Sequence, residues 1–335
     1  MTDLHIEATR GELVESVHRV SVAVVDAAGR LLAESGDPDL VTYWRSAAKP
    51  FQAMPLVADG AADRFGLEPK ELALCCASHS SEPEHLATTD AILTKLGLTE
   101  QALACGPHTP LSAAVAEDAL RKGVRITARW SNCSGKHAGM LALALHRGWP
   151  IEGYNQLGHP VQDRIIEELL RWTGSARDDI YCSVDGCNTV CFGLSLRGMA
   201  AAYARFGADE DGAARRLRDA MTGFPAMVGG TGRPCTDLMG AFGGGLLAKI
   251  GAEGVYSAAL PRHGLGISLK AEDGDMRSAP IALVSVLLQV LTHLDDRRGV
   301  DLLKGTAHHA HIPIRNTRGL VTGALSAAGT LRFLR

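Results

Sequence analysis

A serine and a lysine three residues apart are the first residues in this chain whose spacing suggests chemistry. Ser46 and Lys49 directly follow a β-branched and aromatic run, 40–44. On a helix, side chains three residues apart share a face, so the lysine amine can reach the serine hydroxyl. A buried lysine can act as a base, and a base turns serine into a nucleophile. The pair predicts covalent chemistry on an amide or acyl group, although a helix N-cap followed by a solvated lysine would have the same spacing.

A second serine lies in a segment dense in polar residues. Ser78 belongs to the segment 76–80, which follows the apolar residues 72–74. Ser81 and Glu84 have the spacing of a capping box, which explains part of this polarity as the start of a helix. That explanation does not extend to Ser78, which we therefore interpret as a functional residue.

A further lysine ends an apolar stretch with the pattern of a strand. By strand alternation, Lys270 shares a face with Gly266 and Ser268. Small residues on that face would allow a ligand to approach the backbone. Lys270 is therefore a second candidate base, and an ordinary lysine at a strand end is the alternative.

Cysteine, lysine and histidine occur together in the glycine-containing segment 131–139, and a distant cysteine could join them. Cys133 with Cys187 would provide two thiolates, which together with a nitrogen donor suit a soft metal such as zinc. The spacing is not that of a zinc finger, and Cys182 and Cys191 are competing partners. A tight turn with one buried cysteine remains the alternative.

The elements that must position these residues change in type along the chain. The segments 20–25 and 30–36 have the pattern of a hairpin, and 254–260 with 264–270 that of two adjacent antiparallel strands. Between them, proline at the start and glycine after the end mark several helices. The predicted helices cover residues 83–96, 117–122, 136–146, 159–172 and 215–221, and a long one follows at 277–294.

This order predicts an α/β protein of the α+β type, with an antiparallel sheet built from both chain ends and a helical region inserted between them. Residues 1–45 and 250–335 would form the sheet-containing domain. Residues 46–249 would form a mainly helical region that carries the candidate zinc site. The candidate nucleophile is expected where the first of these segments gives way to the helices.

Composition limits the classes of function. The chain has 335 residues, of which 46% are hydrophobic and 21% charged, and its net charge is −3. Such a balance does not favour binding to nucleic acid or to an anionic membrane surface. The first residues lack the pattern of a signal peptide, and the longest apolar stretch, 281–291, is too short to span a bilayer. We expect a soluble cytoplasmic protein whose eight cysteines are thiols or metal ligands.

Taken together, five segments resemble the rhizobial-type L-asparaginases, the class also called thermolabile asparaginase or asparaginase II. Their order and approximate separations agree with this family from residue 5 to about residue 325. The string Asn-Cys-Ser-Gly-Lys-His-Ala-Gly is the most specific of them. The segments are 45–49, 76–80, 132–139, 185–187 and 264–270.

The resemblance implies a fold like that of serine β-lactamases and penicillin-binding proteins. It implies hydrolysis of L-asparagine through a serine acyl-enzyme, in a protein that is typically a homodimer. Two Ser-Lys pairs carry over, Ser46 with Lys49 and Ser78 with Lys270. The implied zinc ligands are Cys133, Lys136 and Cys187, and residues implied to lie near the substrate or the metal are Arg45, His137 and Asp185.

Several alternatives remain open at this point. Either Ser46 or Ser78 could be the nucleophile, and either Lys49 or Lys270 the base. The run 188–191 departs from the family pattern, which could alter the wall of the substrate pocket. A glutaminase on the same scaffold and a catalytically silent zinc-binding protein are the rival functions.

Overall fold

The computed structural model describes residues 3–210 and 212–334, which form two compact units. The first, here called the sheet unit, comprises residues 3–47, 194–208 and 237–334. The second, the helical unit, comprises residues 48–193 and the described part of 209–236. None of the helices in the described ranges is both long enough and apolar enough to cross a membrane.

The strands come mainly from the two ends of the chain. In chain order they are β1 (His5–Arg10), β2 (Leu13–Asp26), β3 (Leu31–Ser35), β4 (Val41–Tyr43), β5 (Tyr181–Val184), β6 (Val190–Ser195), β7 (Leu247–Ile250), β8 (Val255–Leu260), β9 (Leu265–Ala271), β10 (His311–Arg315), β11 (Val321–Ala328) and β12 (Arg332–Phe333).

Most helices lie between β4 and β7. They are α1 (Lys49–Gln52), α2 (Met54–Ala58), α3 (Ala61–Arg64), α4 (Pro69–Cys75), α5 (Pro83–Lys95), α6 (Ala113–Arg121), α7 (Ser134–Arg147), α8 (Pro160–Thr173), α9 (Leu196–Ala208), α10 (Gly212–Gly223), α11 (Pro225–Val228) and α12 (Pro234–Phe242). Two more, α13 (Ser278–His293) and α14 (Arg297–Lys304), follow β9.

The sheet unit is built on one antiparallel sheet. Its strand order is β10-β11-β1-β2-β9-β8-β7, and β3 pairs with both β2 and β12. Strands β8 and β9 are buried along their whole length, as expected for strands covered on both faces. Helices α9 and α13 both pack on β9 and exclude water from it. The predicted fold class, an antiparallel sheet from both chain ends with helices between them, is confirmed.

The helical unit also contains a short hairpin that the sequence did not predict. Strands β5 and β6 pair antiparallel, with Tyr181 opposite Gly193 and Val184 opposite Val190. The pairing spans only four residues in each strand, which is too short for a clear alternating pattern. This hairpin places the turn 185–189 at its tip, and the turn carries two of the predicted site residues.

Glycines in α7 allow an unusually close approach to α4. A Cβ atom built on Gly135 would lie 2.3 Å from the carbonyl oxygen of Leu74, and one on Gly139 would lie 3.1 Å from Sγ of Cys75. These glycines are four residues apart and therefore share one face of α7. The close contact sets the position of the first turn of α7, where Lys136 lies.

Gly135→Ala is expected to destabilise the protein by about 1–3 kcal/mol or more, because backbone atoms of α4 must move to admit the methyl group. Gly240→Ala in α12 is the matched control, since a Cβ atom there meets nothing within 4 Å. That change should be neutral or stabilise by up to about 1 kcal/mol, because alanine favours a helix. Urea unfolding of both variants measures the difference. Equal stability of the two variants would contradict the close approach.

Candidate active site

Lys49 and Ser78 form a buried pair within the helical unit. The Lys49 side chain is wholly buried in the first turn of α1, and Ser78 is 5% exposed. Nζ of Lys49 lies 3.1 Å from Oγ of Ser78. Lysine is seldom fully buried without a specific reason. The contact brings together one member of each Ser-Lys pair predicted from the sequence.

Two backbone carbonyl groups and the side chain of Cys133 also contact this amine. Nζ of Lys49 donates to the oxygen of Ala77 and lies 3.4 Å from that of Asn132. A neutral amine has two N–H bonds and one lone pair. If Lys49 is neutral, its lone pair can accept the proton of the Ser78 hydroxyl, which lies 3.1 Å away. This arrangement would suit proton transfer from Ser78 to Lys49.

The loop that carries Ser78 is held by a chain of buried polar contacts. Nε2 of His79 lies 2.9 Å from Oγ of Ser134, which in turn lies 3.0 Å from Oγ1 of Thr89. The backbone N–H of Ser81 donates to Nδ1 of His79, so the proton of the neutral ring is on Nε2. Burial, with the charges of His85 and Lys49, holds the pKa of His79 well below its usual range. The neutral ring therefore joins this loop to the start of α7.

The predicted metal ligands converge in the same unit. Cys133 precedes α7, and Lys136 is in its first turn. Nζ of Lys136 lies 3.0 Å from Sγ of Cys187, and the thiol of Cys187 donates a hydrogen bond to Cys133. All three side chains are buried. Two sulfur donors and one nitrogen donor thus meet at the tip of the β5–β6 hairpin.

The three side chains of this cluster differ in how readily they give up a proton. The hydrogen bond from Cys187, followed by the charges of Lys49 and Lys136, holds the pKa of Cys133 well below its usual range despite its burial. The same hydrogen bond and burial raise the pKa of Cys187. Burial disfavours a charge on Lys136, but the sulfurs of Cys187 and Cys133 outweigh it and raise its pKa. The donor set fits zinc, provided that Cys187 and Lys136 give up their protons.

His137 and Asp185 flank the thiol cluster. His137 is wholly buried, and its Nδ1 accepts a hydrogen bond of 2.7 Å from the Tyr154 hydroxyl, which itself accepts from Ala104 N–H. Burial and the charges of Lys136 and Lys49 keep the pKa of His137 well below its usual range. Asp185 Oδ2 lies 3.9 Å from Sγ of Cys187. Asp185 is thus placed to orient Cys187, and neutral His137 to orient the start of α7.

In the sheet unit, Ser46 lies in a 3-10 turn whose two sides are fixed. The indole of wholly buried Trp44 donates to Oγ of Ser257 at 3.0 Å. On the other side of Ser46, the carbonyl oxygen of Ala47 accepts from the Tyr203 hydroxyl at 2.8 Å. Ser46 itself is partly exposed. The backbone on both sides of Ser46 is therefore held by buried hydrogen bonds, while the residue keeps some contact with solvent.

Backbone strain is concentrated in the segments that carry candidate residues. Among the described residues, five other than glycine have a positive φ. Three of these lie in candidate segments, since Arg45 precedes Ser46, Ser81 follows Ser78 by three residues and Asn188 follows Cys187. Such conformations cost about 1–3 kcal/mol each and cluster at functional sites. The full set is Arg45, Ser81, Asn188, Glu253 and Asp295.

Lys270 is held by backbone groups of the sheet unit. Its amine donates to the carbonyl oxygens of Glu253 and Ala271, each at 2.6 Å. Burial lowers its pKa in spite of the nearby carboxylates. The expectation that a ligand approaches Gly266 on this strand is wrong, because α9 fills that space. A Cβ atom on Gly266 would lie 1.9 Å from the carbonyl oxygen of Ala200.

The sequence reasoning did not single out Lys249. This lysine is wholly buried in β7, opposite Ser257 in the register, and donates to the carbonyl oxygen of Ile250 at 2.8 Å. Two residues later, a Cβ atom on Gly251 would lie 2.8 Å from the carbonyl oxygen of Trp44. The end of β7 therefore contacts the segment that carries Ser46. The chain has only eight lysines, and Lys249 lies in an apolar strand. That combination is the sequence signal that could have marked it as a candidate.

The family model of L-asparaginase II matches residues 6–327. Comparison with curated proteins finds no significant match. A β-lactamase from Mycobacterium bovis is 16% identical, with 76% of this chain and 87% of that chain covered and a TM-score of 0.38. An octameric penicillin-binding protein homologue from Pyrococcus abyssi is 11% identical, with 82% and 73% covered and a TM-score of 0.43.

Proposed function

This chain belongs to the L-asparaginase II family, and from that premise we propose that it hydrolyses L-asparagine to L-aspartate and ammonia. Membership of the family makes it an amidohydrolase of the asparaginase type with a small-molecule substrate. The observation that carries the proposal is the buried contact of 3.1 Å between Nζ of Lys49 and Oγ of Ser78. A lysine positioned on a serine hydroxyl supports activation of serine for attack on an amide carbon.

In the proposed reaction, Ser46 attacks the side-chain amide of asparagine. Lys49 accepts the proton of the nucleophile, and Ser78, hydrogen-bonded to Lys49, relays or orients that proton. The C–N bond breaks, and the departing nitrogen takes up a proton to leave as ammonia. A β-aspartyl ester remains on the serine. Water then attacks this ester, which releases L-aspartate and restores the hydroxyl group.

A second lysine would assist the protonation of the leaving group. Lys270 is the candidate from the sequence, and its pKa is lowered by burial. Lys249 is the candidate from the fold, since the end of its strand packs on the segment before Ser46. General acid–base catalysis by such a group contributes about 10²–10⁴ in rate. The oxyanion would be held by backbone N–H groups, for which Ser46 N–H is our candidate.

We further propose that Cys133, Lys136 and Cys187 hold one zinc ion. The contact between Lys136 and Cys187 and the hydrogen bond between the two thiols support this assignment. Such an ion would link the start of α7 to the turn 185–189 and offer a coordination position for the amino-acid end of the substrate. Asp185 and His137 would orient the ligands, as residues next to metal ligands commonly do. Arg45 would bind the substrate carboxylate.

The test of function is ammonia release from L-asparagine and L-glutamine by the purified zinc-supplied protein at mildly alkaline pH. We expect kcat/KM to favour asparagine by about 10–200-fold, since the two substrates differ by one methylene group. Faster hydrolysis of glutamine would instead identify a glutaminase. A folded protein that binds zinc and hydrolyses neither amide would refute the enzyme assignment and leave a zinc-binding protein.

A further inference from the structure

A second cluster of metal-binding side chains lies in the sheet unit, apart from the thiol cluster. Asp237 is on α12, and His308 and His309 end the 3-10 turn Ala307–His309. Oδ2 of Asp237 lies 3.1 Å from Nε2 of His308 and 2.8 Å from Nε2 of His309. Among the histidine, cysteine and acidic residues that the structure describes, this is the one group of three whose ligand atoms all lie within 4.8 Å of one another.

The separations between these atoms are those of ligands around one ion. Zinc–nitrogen and zinc–oxygen bonds are about 2.0–2.2 Å long. Two such bonds at right angles place their ligand atoms about 2.9 Å apart, and a tetrahedral angle places them about 3.3 Å apart. The two observed nitrogen–oxygen distances are close to this range. An ion that replaced the imidazole protons would therefore find these atoms at nearly the separation that it needs, once the rings turn toward it.

The surroundings favour a site that is both ordered and accessible. His309 is buried, and its backbone N–H donates to the carbonyl oxygen of Thr306 at 2.9 Å. The Thr306 hydroxyl donates to the carbonyl oxygen of Leu303 at 2.8 Å, which ties the turn to α14. The side chain of His308 is 59% exposed, and that of Asp237 is 26% exposed. The buried ligand fixes the geometry, and the exposed side leaves coordination positions for water.

We propose that Asp237, His308 and His309 bind a divalent transition-metal ion of the zinc class, independently of the thiol cluster. Two imidazoles and one carboxylate are ligands that zinc, cobalt and nickel accept readily. The ion would join α12 to the turn before β10, which are more than sixty residues apart in the sequence. This is a structural role, because the ion would bind the folded sheet unit and stabilise it by mass action.

The test is metal stoichiometry of the tag-free full chain. The protein is stripped with EDTA, exchanged into buffer, dialysed against Zn²⁺ and analysed for zinc per chain. We expect wild type to bind one more equivalent than His308→Ala or Asp237→Asn, whose affinity at this site should fall at least about 100-fold. His263→Ala is the matched control. Its Nε2 lies 2.8 Å from Oδ2 of Asp296, but only one imidazole takes part, so it should retain the wild-type stoichiometry.

Cobalt distinguishes this cluster from the thiol cluster. Co²⁺ bound to two imidazoles and a carboxylate lacks the thiolate-to-cobalt absorption that Cys133 and Cys187 would produce. We expect Cys187→Ser to lose that absorption but still to bind the equivalent of Co²⁺ that is assigned to Asp237, His308 and His309. His308→Ala should do the reverse. Exposed His308 can be removed without opening the core, so equal zinc binding by wild type and folded His308→Ala would overturn the proposal.

Discussion

Ser46→Ala is expected to lower kcat for L-asparagine by about 10⁴-fold or more, because loss of a nucleophile removes the covalent route altogether. The fold should tolerate the change. The turn is fixed by Trp44 and Ala47, whose hydrogen bonds to Ser257 and Tyr203 do not involve the Ser46 hydroxyl. Ammonia release measures the rate. Ser16→Ala, an exposed serine in β2, is the control and should leave the rate unchanged.

The companion variant Ser78→Ala separates the two candidate nucleophiles. If Ser78 relays or orients a proton, its loss should cost about 10²–10⁴ in rate while the acyl group still forms on the peptide that contains Ser46. Rapid acid quenching followed by peptide mass spectrometry locates the β-aspartyl ester. An ester on Ser78, or a Ser46→Ala protein that retains wild-type turnover, would make Ser78 the nucleophile and reverse the proposed roles.

The fold could be predicted from the sequence wherever one local pattern dominates. The hairpin of β2 and β3, the strands β8 and β9 and the long helix α13 are all mainly apolar segments with clear ends, and all are confirmed. The β5–β6 hairpin was missed because its paired stretch is short. Helix α9 was not predicted from the sequence, and neither was its packing on the sheet.

The candidate site was only partly accessible to the same reasoning. The Ser-x-x-Lys spacing made Lys49 a candidate, and the polar segment 76–80 did the same for Ser78. Two cysteines suggested a metal site, but the ligand set Cys133, Lys136 and Cys187 came from the family resemblance. Spacing could not show that Lys49 lies against Ser78, a contact across 29 positions of the sequence. Nor could it identify Lys249, because burial of a lysine depends on neighbouring strands. Proximity between distant segments is a property of tertiary packing, which local patterns do not encode.

Lys49→Met is expected to reduce kcat for L-asparagine by about 10²–10⁴-fold, because it removes the proposed base but preserves much of the side-chain volume. The lost donor leaves the carbonyl oxygens of Ala77 and Asn132 less well satisfied. Stability should therefore fall by about 1–3 kcal/mol, and unfolding curves must show that the variant is folded under assay conditions. Lys304→Met, at an exposed lysine paired with Asp301, is the control.

The pH profile adds a readout that a purely structural lysine would not change. A lysine base must be neutral, so kcat/KM of wild type should rise with pH and level off above the pKa of that lysine. Burial lowers the pKa of Lys270, so a Lys270 base would reach its plateau below the usual range for lysine. Only the variant that lacks the base should lose this rise, which is Lys49→Met in the proposed reaction and Lys270→Met if Lys270 were the base instead. A folded Lys49→Met with wild-type kcat and an unchanged pH profile would remove Lys49 from the mechanism and leave its contact with Ser78 a structural one.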